Sequence, residues 1–239
     1  MLDSILLFLF RLSLYHRTMR AEEYLKSIDY PGRIIAAGTD LDGRDAFAYA
    51  ITARSESSQN RVLEEDGNNV FTRVYKTDVE MIAPELLVYQ AVMTSPCFTL
   101  IGNGDHTTYI AAALEEGKTL SEAFSDVCYE PDSPAFTPRI AVLLKADEIA
   151  FMIARKEGGE CLRKIYVYPN EKGVMHIIHT YASNGSPLPS FSSMPVRVEA
   201  ASGKEIWSAL SPAYRVAMFY KHGSYKQLIN VNGGGCGEA

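Results

Sequence analysis

The amino-acid sequence predicts an α+β domain in which β-sheets pack together. Most of its apolar runs are short and are separated by turns rich in Gly, Asn and Asp, which is the pattern of strands joined in hairpins. Two stretches of helical composition lie near the middle of the chain, at residues 107–116 and 120–127. Many hairpin strands with two central helices favour an α+β fold. The sequence shows no internal repeat, linker or sharp change in composition, so one domain is expected.

The first half of the chain predicts a short helix, then strands in hairpins, then the two central helices. The Asp42-Gly43 turn separates two apolar runs, and an Asp-Gly pair in such a place is a strong hairpin signal. Gly117 ends the first central helix, and Thr119 is a suitable N-cap for the second. The predicted elements are a helix at 21–27, strands at 33–38, 46–53, 62–63, 70–75, 86–92 and 98–101, and helices at 107–116 and 120–127.

The second half of the chain predicts mainly strands. These lie at residues 140–144, 149–154, 164–168, 174–181 and 215–220, with a loop at 184–189 and a short helix at 205–210. The Gly-rich C-terminal end has little apolar content to hold it in place. We therefore divide the chain into an N-terminal extension (1–29), a main domain (30–222) and a flexible tail (223–239).

The composition is that of an ordinary globular protein and argues against a nucleic-acid-binding protein. The chain has 239 residues, 47% hydrophobic and 22% charged, with a formal net charge of −6. Binding to a phosphate backbone normally needs a concentrated basic surface, whereas a small phosphorylated ligand needs only a few well-placed basic side chains. The four cysteines are scattered without a CxxC pair, which favours reduced thiols in a cytoplasmic protein over disulfides or a zinc site.

An apolar run near the N-terminus, residues 5–15, raises the question of a membrane anchor. It is shorter than the roughly 20 apolar residues that a membrane-spanning helix needs. Asp3 precedes it where a secretory signal would carry positive charge, and no small-residue cleavage site follows it. We expect no membrane partner and interpret the run as an extra amphipathic helix or as sequence upstream of an alternative start at Met19.

Two short polar segments, residues 103–107 and 129–139, stand out between apolar runs. Each combines turn-forming residues, an ionisable group and hydrogen-bonding side chains, which is typical of a site for a small polar ligand. His106 and Arg139 could donate hydrogen bonds to an anion, and Glu130 is a candidate acid or base. The alternative for Glu130 is a surface turn, since it precedes Pro131.

Further candidate groups lie in residues 54–61, where two arginines flank hydroxyl and amide side chains. That chemistry suits a phosphate or a carboxamide, although a solvated loop would have the same composition. Arg33 begins a predicted strand and could point into the same pocket or out to water. Tyr89 lies in an apolar stretch, where a core tyrosine with one satisfied hydroxyl is the simpler interpretation.

Two other patterns carry less chemistry. His176 and His179 lie three residues apart on a predicted strand, which places them on opposite faces and argues against a metal pair. The glycines at 233–235 lack the Lys-Ser/Thr that gives a phosphate-binding loop its function. We therefore expect no metal site.

Taken together, the polar motifs resemble those of the archaeal-type inosine monophosphate (IMP) cyclohydrolases and their bacterial relatives. The similarity runs from about Tyr30 to about His222, with the motifs in the same order. The residues that carry it are Tyr30-Pro31-Gly32-Arg33, Arg54-Ser55, Asn60-Arg61, Asn103-Gly104-Asp105-His106-Thr107, Glu130-Pro131-Asp132, Phe136-Thr137-Pro138-Arg139-Ile140, His179-Thr180-Tyr181 and Gly185-Ser186-Pro187-Leu188-Pro189-Ser190-Phe191.

The resemblance implies a four-layered α-β-β-α sandwich of the N-terminal-nucleophile hydrolase type. It also implies closure of 5-formamidoimidazole-4-carboxamide ribonucleotide to IMP, the last step of purine synthesis. The strand near Tyr30 corresponds to the one that carries the nucleophile in self-processing members of that fold. Here it begins Tyr-Pro-Gly-Arg, without Cys, Ser or Thr, which argues against self-processing amide hydrolysis.

The resemblance also implies roles for individual residues. Glu130, Tyr89 and Arg61 are expected to be catalytic, with Glu130 for proton transfer, Tyr89 as donor to the formyl oxygen and Arg61 for orientation and charge stabilisation. The expected ligand is a purine nucleotide, with no metal or organic cofactor and no nucleic acid; a homo-oligomer is left open. The alternative function is a catalytically silent purine-nucleotide-binding protein. The expected binding residues are Arg33, Arg54, Ser55, Asn60, Asn103, Gly104, His106, Thr107 and Arg139.

Overall fold

Two β-sheets and five α-helices make up the described part of the chain, which confirms the α+β class. The computed structural model describes residues 18–80, 83–233 and 236–238, so the apolar run at residues 5–15 lies outside it. Within those ranges, no helix has both the length and the apolar character needed to cross a lipid bilayer.

The first sheet has eight strands. In spatial order the strands are β1 (Met19–Arg20), β12 (Val196–Glu199), β11 (Val174–His179), β2 (Arg33–Thr39), β3 (Asp45–Thr52), β13 (Arg215–His222), β14 (Tyr225–Asn230) and β15 (Cys236–Glu238). Three of its neighbouring pairs, β1–β12, β2–β11 and β3–β13, join strands that are distant in sequence. Its neighbouring strands are antiparallel except for the short parallel pair β1–β12.

The second sheet has seven strands and is an antiparallel meander, because every strand pairs with its neighbour in sequence. Short turns join most of these strands, as the hairpin signals in the sequence predict. In spatial order the strands are β10 (Glu160–Pro169), β9 (Glu148–Glu157), β8 (Arg139–Leu144), β7 (Thr99–Gly102), β6 (Gln90–Thr94), β5 (Asn69–Val74) and β4 (Arg61–Asp66).

The main core lies between the two sheets, and each sheet has a second apolar face under helices. On β2, Ile35 points into the core between the sheets, whereas its neighbour Ile34 belongs to the core under helices α1 (Ala21–Lys26) and α5 (Gly203–Ala209). This alternation follows from the two-residue period of a strand. A third core packs the second sheet against α3 (His106–Glu115) and α4 (Leu120–Phe124). The remaining helix, α2 (Glu56–Gln59), connects β3 of the first sheet to β4 of the second.

Helix α4 begins as predicted, with Thr119 as its N-cap. The Thr119 side chain accepts from the Glu122 backbone, and the Glu122 side chain accepts from the Thr119 backbone, which completes a capping box. The helix ends at Phe124, three residues before the predicted end, because the chain then turns toward the segment that carries Glu130.

The strand predicted at residues 86–92 is only partly correct. Pro84–Leu86 forms a single 3-10 turn, and β6 begins at Gln90. Leu86 therefore belongs to this turn and not to a strand. Leu87 and Tyr89 lie between the turn and β6, and both are buried. Burial in a loop leaves the same apolar signal as burial in a strand, which explains the difference.

The structure also differs from the expected flexible tail after residue 223. β14 pairs with β13 along its whole length, and the side chain of Asn230 bonds both the N–H and the C=O of Leu63, at 2.8 and 3.0 Å. Asn230 thereby ties the first sheet to β4 of the second. β14 lies between β13 and β15, and its polar residues hide its strand character, since only its alternate side chains at Gln227 and Ile229 are buried.

Candidate functional site

A polar cavity of about 310 Å³ opens where β2 begins and β3 ends. The walls come from five separate parts of the chain, which is how a site for a small ligand is commonly built. The polar lining residues are Tyr30, Arg33, Arg54, Ser55, Ser57, Ser58, Glu130, Asp132, Thr137 and Tyr181.

Arg33 forms the floor of the cavity at the start of β2. Its side chain is buried, and its Nε has no hydrogen-bond partner among the described residues. Burial alone would lower its pKa, but Glu130 and the hydroxyl of Tyr89 lie close enough to raise the pKa above its usual value. Arg33 is therefore a fixed positive charge at the cavity, with one buried N–H that no described residue accepts.

Arg54 and Ser55 form the outer wall, at the beginning of α2. The Arg54 guanidinium lies 5.0 Å above the Tyr30 ring, and its Nη1 donates to the Asn184 side chain at 2.6 Å and to the Gly185 carbonyl at 3.0 Å. Ser55 is the N-cap of α2, and its hydroxyl oxygen accepts from the Ser58 N–H at 3.2 Å. Its O–H therefore stays able to donate into the cavity.

Glu130 is the acidic group of the cavity, and it is 2% exposed. Its backbone N–H donates to the Thr137 carbonyl at 2.8 Å, and its Oε1 lies 3.4 Å from Nη1 of Arg139. Burial raises the pKa of Glu130 to about 7, against the opposing effect of Arg33 and Arg139. A carboxyl with a pKa near neutrality can take up or release a proton at ordinary pH.

The segment that carries Glu130 is held rigidly by its own side chains. Asp132 accepts from the Thr137 backbone N–H at 2.7 Å and also from the Thr137 hydroxyl, which in turn bonds the Tyr181 hydroxyl. Tyr181 stacks on Tyr30, with ring centroids 5.7 Å apart and planes 16° apart. These contacts fix the turn around Glu130 and form an aromatic wall for the cavity.

A group of buried polar side chains lies behind the cavity. Arg61 is fully buried; its Nε donates to the Ser58 carbonyl at 2.8 Å, and its two terminal nitrogens have no hydrogen-bond partner among the described residues. Burial and the nearby charge of Arg33 lower its pKa. The hydroxyls of Tyr89 and Tyr49 are 2.6 Å apart. The desolvated guanidinium of Arg61 is placed to stabilise negative charge.

The structure thus brings six of the twelve predicted site residues together at the first cavity or directly behind it. Arg33, Arg54, Ser55 and Glu130 line the cavity. Arg61 and Tyr89 lie behind it, within electrostatic range of Arg33. Asn60 does not line the cavity. Its side-chain oxygen accepts from the Lys76 N–H at 2.9 Å, and its side-chain nitrogen donates to the Lys76 carbonyl at 2.8 Å.

His106 and Arg139 line a second cavity, of about 490 Å³, at the N-terminal end of α3. Arg139 lies between the two cavities, because its Nη2 is 2.9 Å from Asp105 while its Nη1 faces Glu130. Gly104 makes this possible, since a Cβ at residue 104 would lie 1.4 Å from Nη1 of Arg139. The guanidinium occupies the space that any other residue at 104 would fill.

The remaining predicted binding residues join the two polar segments to each other. Asn103 donates to the Pro138 carbonyl at 3.0 Å and accepts from the Ile140 N–H at 2.6 Å, and the Thr107 hydroxyl donates to the Gly104 carbonyl at 2.8 Å. These bonds use the side chains' polar groups inside the protein. Asn103 and Thr107 therefore have a structural role and do not line the first cavity.

His106 lacks the free N–H that its predicted role as a donor to an anion requires. Its Nε2 is 3.0 Å from the Ile140 carbonyl and must donate to it, which leaves Nδ1 as an acceptor without a partner among the described residues. Burial, followed by the charge of Arg139, lowers its pKa to about 3. A neutral imidazole with its only N–H in use does not attract an anion.

Sequence reasoning passed over Tyr49, Asp132 and Tyr181 as site residues. Asp132 and Tyr181 were quoted only as parts of motifs, and their signal was the surrounding density of polar side chains. Tyr49 had a weaker signal: it is the only hydroxyl among the apolar residues 46–51 of β3. Its importance depends on Tyr89, which is 40 residues away in the chain and becomes visible only in the fold.

Among the described residues, no group of three or more His, Cys, Asp or Glu side chains could hold a metal ion. His176 and His179 are on strand β11 and face opposite ways, as predicted. His176 stacks on Tyr168 at 3.9 Å, whereas Nε2 of His179 is 2.7 Å from the Tyr24 hydroxyl. Burial lowers the pKa of each to about 4.

Comparison with known proteins gives one family. The family model described as IMP cyclohydrolase-like protein matches residues 30–224. A protein of Methanocaldococcus jannaschii named IMP cyclohydrolase is 30% identical over 50% of this chain and 58% of its own length. One of Methanothrix thermoacetophila with the same name is 28% identical over 76% of this chain and 85% of its own length. One of Halobacterium salinarum is 29% identical over 52% and 61%.

Proposed function

The chain belongs to the IMP cyclohydrolase-like protein family, and we propose that it closes 5-formamidoimidazole-4-carboxamide ribonucleotide to IMP with loss of water. The observation that carries the proposal is Glu130, a buried carboxyl with a pKa of about 7 in a polar cavity. The aligned region spans 58% of the first relative's length, so the activity is transferred as a proposal.

We also propose that the fold is the four-layered α-β-β-α sandwich of N-terminal-nucleophile hydrolases. Its support is the core between the two sheets, together with the helices packed on their outer faces. β2 begins beside the cavity with Arg33, and residues 30–33 contain no Cys, Ser or Thr. A cyclisation needs no covalent intermediate, so the lack of a nucleophile there agrees with the proposed reaction.

The proposed reaction is intramolecular. The carboxamide nitrogen attacks the formyl carbon, one N–H proton leaves that nitrogen, and the formyl oxygen becomes a hydroxyl. Loss of that hydroxyl and of the proton on the formamido nitrogen gives water and the closed ring. Holding the two groups in a near-attack geometry contributes up to about 7–11 kcal/mol, and the rest must come from proton transfer and charge stabilisation.

Glu130 is placed for the proton transfers. As a carboxylate it accepts the proton that the attacking nitrogen loses, and as a carboxylic acid it gives that proton to the formyl oxygen, which becomes the hydroxyl. The regenerated carboxylate then accepts the proton of the formamido nitrogen and passes it to the departing hydroxyl, which leaves as water. Both forms are accessible near neutral pH because burial raises its pKa to about 7. The charges of Arg33 and of Arg139, whose Nη1 is 3.4 Å from Oε1, limit the rise in the pKa of Glu130.

Tyr89 and Arg61 would stabilise the formyl oxygen as it gains negative charge. Tyr89 can donate one O–H to that oxygen, and the buried guanidinium of Arg61 offers two unpaired terminal nitrogens in a low-dielectric environment. Charge stabilisation is strongest where water is excluded, which is the condition of both side chains.

The ribose phosphate would lie at the mouth of the cavity. Arg54 and the hydroxyls of Ser55 and Ser58 form a basic, hydroxyl-rich outer wall there, opposite the buried Glu130 end. Arg33 would then contact the heterocycle or its carboxamide through its unpaired Nε. Arg139, Gly104 and Asn103 would act on the substrate indirectly, by holding the Glu130 segment in place.

The proposed substrate is a small purine precursor, so we place the protein in the cytoplasm. The steps above use only the chain's own side chains and require no metal or organic cofactor. A catalytically silent nucleotide-binding protein is not favoured, because the buried Glu130, Arg61 and Tyr89 would cost stability without serving turnover.

Incubation of the purified full chain with the formamido ribonucleotide tests the proposal. IMP formed faster than in a protein-free control, and followed by absorbance and mass spectrometry, is the expected result. Binding of IMP without product above that control would instead establish a silent nucleotide-binding protein. Mass spectrometry of the intact chain would reveal any cleavage that exposes a Ser, Thr or Cys, the sign of an amide hydrolase.

A further inference from the structure

Tyr49 and Tyr89 form an isolated pair of hydroxyls behind the first cavity. Their oxygens are 2.6 Å apart, Tyr49 is 0% exposed and Tyr89 is 5% exposed. Neither hydroxyl has another hydrogen-bond partner among the described residues. Because β3 carries Tyr49 and the loop before β6 carries Tyr89, the pair joins the two sheets at the site.

The distance alone allows either hydroxyl to donate, and the deeper burial of Tyr49 favours Tyr49 as the donor. A phenol has one O–H to give and accepts through its oxygen. Both side chains belong to the core between the sheets, but Tyr49 is 0% exposed and has the Tyr89 oxygen as its hydrogen-bond partner, whereas Tyr89 is 5% exposed. If Tyr49 donates to Tyr89, the O–H of Tyr89 is left to point away from Tyr49. Leu87, two residues before Tyr89, lines the cavity, and Arg33, which also lines it, lies within electrostatic range of Tyr89, so the Tyr89 hydroxyl is close to the site.

The charges around the pair agree with this orientation. Arg33 and Arg61 both lie within electrostatic range of Tyr49 and Tyr89. Two guanidinium groups favour partial negative charge on the phenol oxygen, and a hydrogen bond donated to that oxygen favours it further. Such a phenol donates a stronger hydrogen bond to a substrate oxygen.

We propose that Tyr49 is a positioning residue, whose hydroxyl donates to the Tyr89 oxygen and so directs the Tyr89 O–H toward the formyl oxygen. The inference rests on the proposed cyclohydrolase function. Tyr49 does not touch the substrate, because its side chain is fully buried behind Tyr89. Its effect must therefore pass through Tyr89, and that dependence can be measured.

A double-mutant cycle with Tyr49→Phe and Tyr89→Phe provides the test. We expect Tyr49→Phe to lower kcat about tenfold, the change that ~1.4 kcal/mol produces, with KM within about twofold of the wild type. The double variant should have the kcat of Tyr89→Phe alone, because Tyr49 has nothing to position once the Tyr89 hydroxyl is gone. A purely structural Tyr49 would instead give independent, multiplicative losses.

The matched control is Tyr24→Phe, which removes a tyrosine hydroxyl bonded at 2.7 Å to His179 on the helix-covered face of the first sheet. Its kcat should equal that of the wild type. If Tyr49→Phe alone fails to fold, the double variant, which leaves no hydroxyl of the pair unpaired, still tests the inference: a kcat below that of Tyr89→Phe would overturn it, because Tyr49 would then act without the Tyr89 hydroxyl.

The outcomes separate this inference from the function on which it rests. An active wild type with an unchanged kcat in Tyr49→Phe, or with multiplicative losses in the double variant, overturns the role of Tyr49 alone. A wild type without turnover overturns the proposed function and this inference together. The role of Tyr49 is supported if kcat is lowered in Tyr49→Phe and is equal in Tyr89→Phe and the double variant.

Discussion

Glu130 shows how burial and charge compete at a single residue. Two arginines lie close to it and would lower its pKa, yet burial has the larger effect and raises the pKa to about 7. The free carboxylate is therefore destabilised in the folded protein relative to the unfolded chain. A group kept in an unfavourable state inside a polar cavity is typical of a functional site.

This raised pKa makes stability depend on pH in a definite direction. A carboxyl whose pKa is higher in the folded state contributes stability below its unfolded value, near 4.5, and loses that contribution as the pH rises through about 7. Glu130→Gln cannot ionise, so its free energy of unfolding relative to the wild type should increase between pH 5 and pH 8, by roughly 1–3 kcal/mol.

Urea unfolding of both proteins at the two pH values measures the difference. A difference that stays constant would mean that the pKa of Glu130 is not raised in the folded protein. Glu130→Gln should also lose at least about tenfold in kcat, since general acid–base catalysis contributes on that scale or more. A variant that is more stable and less active at pH 8 is the expected combination.

At the level of elements, the site depends on the meeting of two loops rather than on one helix or strand. The loop before α3 supplies Gly104, and the segment leading into β8 supplies Arg139, whose guanidinium fills the side-chain space of Gly104. Arg139 then reaches Glu130. The close approach requires glycine for space, since its backbone does not have a positive φ.

Gly104→Ala tests this contact. The new methyl group would lie 1.4 Å from Nη1 of Arg139, so the guanidinium must move away from Glu130. Loss of a neighbouring cation raises a carboxyl's pKa further, and the acidic limb of the pH–rate profile should shift upward by about one unit. The matched control is Gly117→Ala at the end of α3, where nothing lies within 4 Å.

Gly117→Ala strains the backbone, because Gly117 has a φ of +83°. This control should therefore lower thermal stability without shifting the acidic limb of the pH–rate profile. An unchanged limb in Gly104→Ala would show that Arg139 does not set the ionisation of Glu130.

At the scale of the whole molecule, the C-terminal strand connects the sheets beside the site. Asn230 on β14 bonds the backbone of Leu63 on β4, and β4 begins with Arg61. Asn230→Ala would leave a buried N–H and C=O of Leu63 without these partners. We expect a loss of roughly 1–3 kcal/mol in the free energy of unfolding, measured by urea denaturation.

Asn68→Ala, in the exposed turn between β4 and β5, is a control amide removal that should change stability far less. Equal stability of Asn230→Ala and the wild type would contradict the bridging role of β14.

The sequence predicts the class of this fold well but not its long-range contacts. Asp-Gly turns, short apolar runs and the Thr119 capping signal are local, and they identify most strands and helices correctly. β14 was missed because its polar residues conceal a strand that buries only alternate side chains. Tyr49 was missed because its partner is 40 residues away. His106 was misjudged because the Ile140 carbonyl that occupies its N–H belongs to a separate strand.

The pH dependence of kcat/KM for closure of the formamido ribonucleotide tests the central claim most directly. If Glu130 is the base, activity of the wild type should fall tenfold per pH unit below about pH 7, and this limb should be absent from the residual activity of Glu130→Gln. A wild-type profile that is flat from pH 5.5 to pH 8, or full activity in Glu130→Gln, would contradict the account.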